Sequence, residues 1–353
     1  MIKSLLFVPV CAVLVACGGV EPPAESAYAA REFAPSVSEA PCKRNEASRL
    51  ALFGDLHVHT SLSNDAWNFD VRAQPDDAYA YAFGESIQLP IGDDYLGRKV
   101  QIDRPLDFAG VTDHAELFGE QSLCMDPAAA GYNSSFCEVM RSGEGRAPQL
   151  VMQIMSPFSK RRQDVCGEDG ADCAGRAATT WQHTIDAAQR WNDTSEDCER
   201  TTFVAYEYSS FRMGSNLHRN VIFKNSAVLN RPVSYVDESR EWDLWRLLKE
   251  QCIGSDTGCD ALAIPHNSNI SNGRMFSVDY PGAYTKKEQA ERAALRQYIE
   301  PIVEIMQHKG DSECRNGVEG VLGGVDELCD FEKFEIFAHK QVSGGDEEMA
   351  QCY

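Results

Sequence analysis

Gly54-Asp55-Leu56-His57-Val58-His59-Thr60 closes a short apolar run, Ala51 to His57 (ALFGDLH), and the rest of the chain is read from this stretch. Residues two apart in a strand point to the same side, so His57 and His59 can reach one metal centre. A lone HxH is weak evidence, because surface histidines occur at that spacing too. Asp65 follows in the loop as a candidate carboxylate ligand. The stretch gains weight because short apolar runs ending in polar residues recur downstream.

Working outward, a helix is expected across Pro75 to Phe83 and a second strand across Leu106 to Thr112 (LDFAGVT). Gly, Cys and Pro then punctuate an irregular stretch to about Gly175. Ala177 to Trp191 has helix periodicity, Thr202 to Tyr208 (TFVAYEY) reads as a third strand, and Asn220 to Phe223 as a fourth. Glu241 to Gln251 is an amphipathic helix with Trp242, Trp245 and Leu248 on one stripe. Ala261 to Pro265 is a strand, Lys286 to Tyr298 a helix, and Ile302 to Met306 another strand. Such alternation argues for parallel strands in an α/β layer or barrel.

The polar residues sit at or just past strand ends, where α/β folds place active sites. His114 follows LDFAGVT as a candidate ligand, with Asp113 turned to fix a neighbouring imidazole. The competing reading is a helix N-cap by Thr112 or Asp113. Glu207 lies in a strand otherwise suited to burial, where a carboxylate is costly unless paired or metal-bound. His218 and Arg219 open HRNVIF, and His266 ends ALAIPH. Singly, each histidine is more often a core or rim residue than a ligand. Together, five of the eight histidines lie at strand boundaries. Imidazoles with carboxylates suit Zn, Mn or Fe.

Composition sets the compartment and the partners. Among 353 residues, 33 basic and 54 acidic side chains give a formal charge of −21, which repels phosphate backbones and argues against nucleic acid. A small anionic substrate stays possible, since bound cations reverse the potential locally. Lys3 and the apolar Leu5 to Val15 read as a signal peptide too short to span a bilayer as a mature helix. Leu14-Val15-Ala16-Cys17-Gly18 resembles a lipobox, making Cys17 the lipidated residue; an ordinary secretory signal is the alternative. Residues 1–17 are then the signal, 18–49 a tether and 50–353 the folded domain. The expected location is the cell envelope, on the outer membrane facing the periplasm in a Gram-negative host. Cysteines fall in close pairs, Cys124 and Cys137, Cys166 and Cys173, Cys252 and Cys259, Cys314 and Cys329, which read as disulfides of an exported chain. A zinc ribbon is the rival, but no CxxC occurs. Cys42, Cys198 and Cys352 are left unassigned.

GDLHVHTSLSNDA, TDH, the Glu of AYEYSS, LHRNVIF and IPHNSN resemble, in order, the motifs of the PHP (polymerase and histidinol phosphatase) superfamily. More narrowly they resemble an exported bacterial branch called domain of unknown function 3604. The resemblance covers about Leu50 to the end. It implies a distorted β/α barrel with two or three divalent transition-metal ions at its C-terminal face. It also implies a hydrolase, phosphoesterase-like, using a metal-bridged hydroxide. His57, His59, Asp65, His114, Glu207, His218 and His266 match metal ligands, with Glu207 bridging and both Glu207 and Asp65 serving catalysis. Glu304 matches a structural or supporting carboxylate. Arg219 or Arg274 would bind the substrate anion, and His308 is a further substrate candidate. The superfamily's late Asp-x-His does not follow Glu304, so a truncated, incomplete barrel is expected. The alternative is a lipid-anchored, non-catalytic binding or scaffold protein on a degraded barrel.

Overall fold

The computed structural model describes residues 29–30, 50–89, 98–142 and 161–305. Cys17, His308, Cys42, Cys314, Cys329 and Cys352 lie outside the described residues.

The first sheet grows from the HxH stretch. β1 (Gly54–Val58) is followed by helices α1 (Asn64–Asn68) and α2 (Pro75–Ala82), then by an antiparallel pair, β2 (Ile87–Leu89) and β3 (Arg98–Val100). β4 (Phe108–Val111) pairs in parallel with β1, and β5 (Thr201–Phe203) pairs in parallel with β4. A capping box between Gln74 and Asp77, with Pro75 at the first turn, starts α2 where the sequence expects it.

Among its described residues, the stretch expected to be irregular holds three short helices instead, α3 (Phe118–Cys124), α4 (Ser135–Ser142) and α5 (Gln163–Cys166). They are too short to show periodicity, and disulfides Cys124–Cys137 and Cys166–Cys173 fasten them. α6 (Ala171–Trp191) then buries Ala177, Thr180, Trp181, Thr184, Ile185 and Ala188 at helical spacing. Trp181 is fully buried, stacks edge-on to Tyr206 at 5.6 Å and donates its indole N–H to Leu229 O at 2.8 Å. Gly119 lets α3 lie directly on α6, because a Cβ there would collide with the backbone of Cys173.

TFVAYEY, read as one strand, is two. The chain leaves β5 at Phe203 and enters a second sheet as β6 (Ala205–Ser210), which pairs antiparallel with β7 (Leu217–Phe223). β8 (Ala261–Pro265) pairs antiparallel with β7 in turn. The parallel strands expected from the sequence are found in β1, β4 and β5, whereas β6, β7 and β8 are antiparallel. The link from β6 to β7 is a hairpin loop, and a parallel pair needs a crossover of a dozen residues or more. The described residues form a mixed α/β fold with no closed barrel. The two larger sheets meet where His114 and Glu207 form a single parallel bridge, with Glu207 N donating to Asp113 O at 3.0 Å.

α7 (Glu241–Leu247) loosens into a π-turn over Leu248–Ile253, closed by the Cys252–Cys259 disulfide. α8 (Lys286–Ile299) opens on a Thr285–Glu288 capping box. Residues 301–305 are not a strand, although Glu304 N donates to Pro265 O at 3.1 Å at the end of β8. Among the described residues no helix is long and apolar enough to cross a membrane. The three disulfides, with Cys198 also disulfide-bonded, suggest an oxidising, exported location.

Candidate metal centre

β1 delivers His57 within the strand and His59 just past its end, on the same side. Their rings lie 5.2 Å apart. The loop beyond is pinned rather than free. Thr60 donates its hydroxyl to Asp113 at 2.7 Å and its backbone N–H to the same carboxylate. Asp113 therefore fixes the residue next to His59, where the sequence predicts that it fixes an imidazole. Ser63 donates to Asp65 Oδ1 at 2.6 Å and accepts from His114 N at 3.2 Å, joining the two loops that carry ligands.

Glu207 is the hub. Its side chain has no exposed surface. Oε1 faces His218 Nδ1 at 2.6 Å, His266 Nε2 at 3.1 Å and His114 Nδ1 at 3.4 Å. Oε2 faces His59 Nε2 at 2.8 Å and His57 Nε2 at 3.5 Å. Asp65 Oδ2 lies 3.1 Å from His59 Nδ1 and 3.3 Å from His114 Nε2. Three sets of ligand atoms thus converge within 4.8 Å: His57, Glu207 and His266; His114, Glu207 and His218; His59, Asp65 and His114. All seven candidate ligands named from sequence come together.

The electrostatics follow from crowding. Burial resists charge on Glu207, but His114, His266 and His218 outweigh it and hold the carboxyl well below its usual range. Burial likewise resists charge on Asp65, and His114 with His59 hold it low. At His57 burial opposes protonation, yet hydrogen bonds to Glu207 and Glu304 raise its pKa to about 9. At His218 burial wins and the pKa falls to about 3. Opposed shifts packed into one cluster are common both at functional sites and in structural ion-pair networks.

The donor set fits a divalent transition metal. His59 has a carboxylate against each ring nitrogen, and a neutral imidazole can donate through only one. His266 Nδ1 and Glu304 Oε1 are buried without a hydrogen-bond partner, although buried polar groups are nearly always paired. Imidazoles and carboxylates in this proportion suit Zn, Mn or Fe.

A family model described as a protein of unknown function (DUF3604) matches residues 46–353. The chain belongs to that family. No curated protein and no solved structure matches it.

The remaining candidates of this DUF3604 chain fall in different places. Glu304 Oε2 meets His57 Nδ1 at 2.8 Å, beside the centre. Arg219 does not reach it. Residue alternation turns Arg219 to the opposite face of β7 from His218, where it is buried and paired with Glu300 at 2.7 Å. Arg274 is exposed in the turn after Ser271. A fourth set of candidate donors, Glu120, Cys166 and Cys173, is no thiolate site, because the two cysteines are bonded to each other and Glu120 pairs with Arg161 at 2.8 Å.

Two residues went unnoticed in the sequence. Ser209 shares Glu207's side of β6 and touches both His114 Nδ1 and Glu207 Oε1. The i, i+2 spacing in AYEYSS was the available signal. Glu116, fully buried, accepts the backbone N–H of Ser209 at 2.9 Å and of Tyr235 at 3.2 Å. Nothing about HAEL distinguishes that glutamate from a surface one.

Proposed function

We propose that the protein is a metal-dependent hydrolase of phosphoester-like substrates, built on a PHP-type centre and carried on a lipid anchor at Cys17. The observation that carries this reading is Glu207, one buried carboxylate whose two oxygens serve two different sets of imidazoles. A bridging carboxylate requires that arrangement, and a structural ion pair does not.

His57 and His266 with Glu207 would hold one ion, His218 with Glu207 a second, and His59, Asp65 and His114 a third. Divalent ions there would polarise an ester oxygen and acidify water for an in-line displacement. The chain's own residues supply the rest. Asp65, the most exposed carboxylate of the cluster, would face incoming water and substrate. Glu304 orients His57. Asp113 and Ser63 hold the His59 and Asp65 loop still. In a chain of formal charge −21, the positive potential for an anionic ester comes from the ions.

The test compares wild type, Glu207→Gln and His183→Gln by elemental analysis and by hydrolysis of a generic phosphoester. His183 lies on α6, 41% exposed and outside the cluster. Wild type and His183→Gln should hold transition metal and turn over, and Glu207→Gln should lose both. Equal metal and turnover in the two variants would sink the reading. Metal without turnover in wild type would favour a binding protein instead. Cys17→Ser should abolish membrane partition while sparing metal content.

A further inference from the structure

His114 is the only imidazole shared by two of the three ligand sets, so something must decide which of its nitrogens faces an ion. Nε2 looks toward Asp65 Oδ2 at 3.3 Å, and Nδ1 toward Glu207 Oε1 at 3.4 Å. The nearest group to Nδ1 is neither carboxylate but the hydroxyl of Ser209. That hydroxyl also lies 3.2 Å from Glu207 Oε1.

A serine hydroxyl has one proton to give and lone pairs to accept with. Glu207, a buried carboxylate, can only accept, so the Ser209 O–H points to it. Ser209 Oγ is then left to accept from His114, which puts the imidazole proton on Nδ1 and leaves Nε2 with its lone pair. Ser209 itself has little freedom. It is buried, sits opposite His218 in the β6–β7 ladder, and its backbone N–H is held by Glu116. Glu116 occupies the short 3-10 turn Ala115–Leu117 that directly follows His114, and its Oε2 lies 4.0 Å from His114 Nδ1.

We infer that Ser209 is a positioning residue that fixes the His114 tautomer, so that His114 presents Nε2 to the site of Asp65 and His59 and is withheld from the site of Glu207 and His218. This rests on the metal-centre reading above. It adds a residue that contacts no ion itself.

The experiment loads the full chain with Zn(II) and reads the ring nitrogens by long-range proton–nitrogen NMR of nitrogen-15 histidine, beside Zn affinity from chelator competition. Wild type should show His114 protonated on Nδ1 and Zn-shifted on Nε2. Ser209→Ala should lose that signature and weaken Zn binding by about 10- to 100-fold, the range for removing a group that orients a ligand. Ser209→Thr keeps a hydroxyl and should restore both. Two results overturn the proposal while leaving the metal centre standing: His114 Zn-bound through Nδ1 in wild type, or Ser209→Ala matching wild type in spectrum and affinity. A wild type that loads no Zn overturns both readings.

Discussion

Arg219 and Glu300 form an ion pair of 2.7 Å with both side chains almost wholly buried, and Glu300 also accepts from Trp245 Nε1 at 2.8 Å and from Arg296 Nε at 3.0 Å. One carboxylate thereby fastens β7, α7 and α8 together. Four residues further on, Glu304 reaches His57. Arg219→Met takes one of two guanidinium partners from Glu300, Arg296 remaining, and should cost about 1.5–3 kcal/mol in chemical denaturation. Metal content at saturating metal should not change. A variant of normal stability that fails to bind substrate anion would return Arg219 to the role first expected from sequence.

In metal-free protein, the stability of the cluster should peak near pH 6.5. His57, with its pKa raised to about 9, and His59 and His114, also raised, stabilise the fold below 6.5 and lose that contribution as pH climbs through their folded values. His218, lowered to about 3, and His266, also lowered, work in reverse, because below 6.5 the unfolded chain takes protons that the fold refuses. Asp113, raised by burial to about 6, softens the acid limb. Urea midpoints across pH in chelator check this. A midpoint rising steadily from pH 6.5 to 9 would contradict it.

Proteolysis without reductant should recover the Cys124–Cys137, Cys166–Cys173 and Cys252–Cys259 links from exported material. Replacing Cys124 and Cys137 by alanine should cost about 3 kcal/mol, the loop-closure value for a span of that size. Free thiols at these positions would remove the case for an oxidising compartment.

Gly119→Ala tests the packing of α3 on α6. The added methyl meets Cys173 backbone rather than a side chain that could swing aside. Overpacking of this kind costs about 1–3 kcal/mol. Gly175→Ala, whose added carbon meets nothing, is the control and should not destabilise. Equal melting temperatures for the two would show that the helices separate at no cost.

The ligands were legible because strand geometry is local. His57 and His59 share a side by the two-residue period, and the other ligands sit beside short apolar runs. The same period sends Arg219 away from His218, so its burial could have been foreseen from HRNVIF. The split in TFVAYEY could not. Phe203 and Ala205 belong to different sheets although every residue between Thr202 and Tyr208 suits a strand. The first half pairs with β4, far upstream, and the second with β7 across the hairpin, so the break between them depends on a partner distant in sequence. Glu116 was hidden for a similar reason, since its partners Ser209 and Tyr235 lie far along the chain.

His57, His59, Asp65 and His114 come from the end of the parallel sheet and its loops, whereas Glu207 and His218 lie on the antiparallel sheet and His266 just past it. With His114 given to the Asp65 site, the set of His57, Glu207 and His266 is the one that draws from both. An ion bound there acts as a rivet across a seam, and pulling the sheets apart would mean giving it up. Metal at a hundred times its dissociation constant should then add about 2.7 kcal/mol per site to the work of opening that seam. An exported protein assembled this way would register the metal supply of its surroundings in how long it survives there.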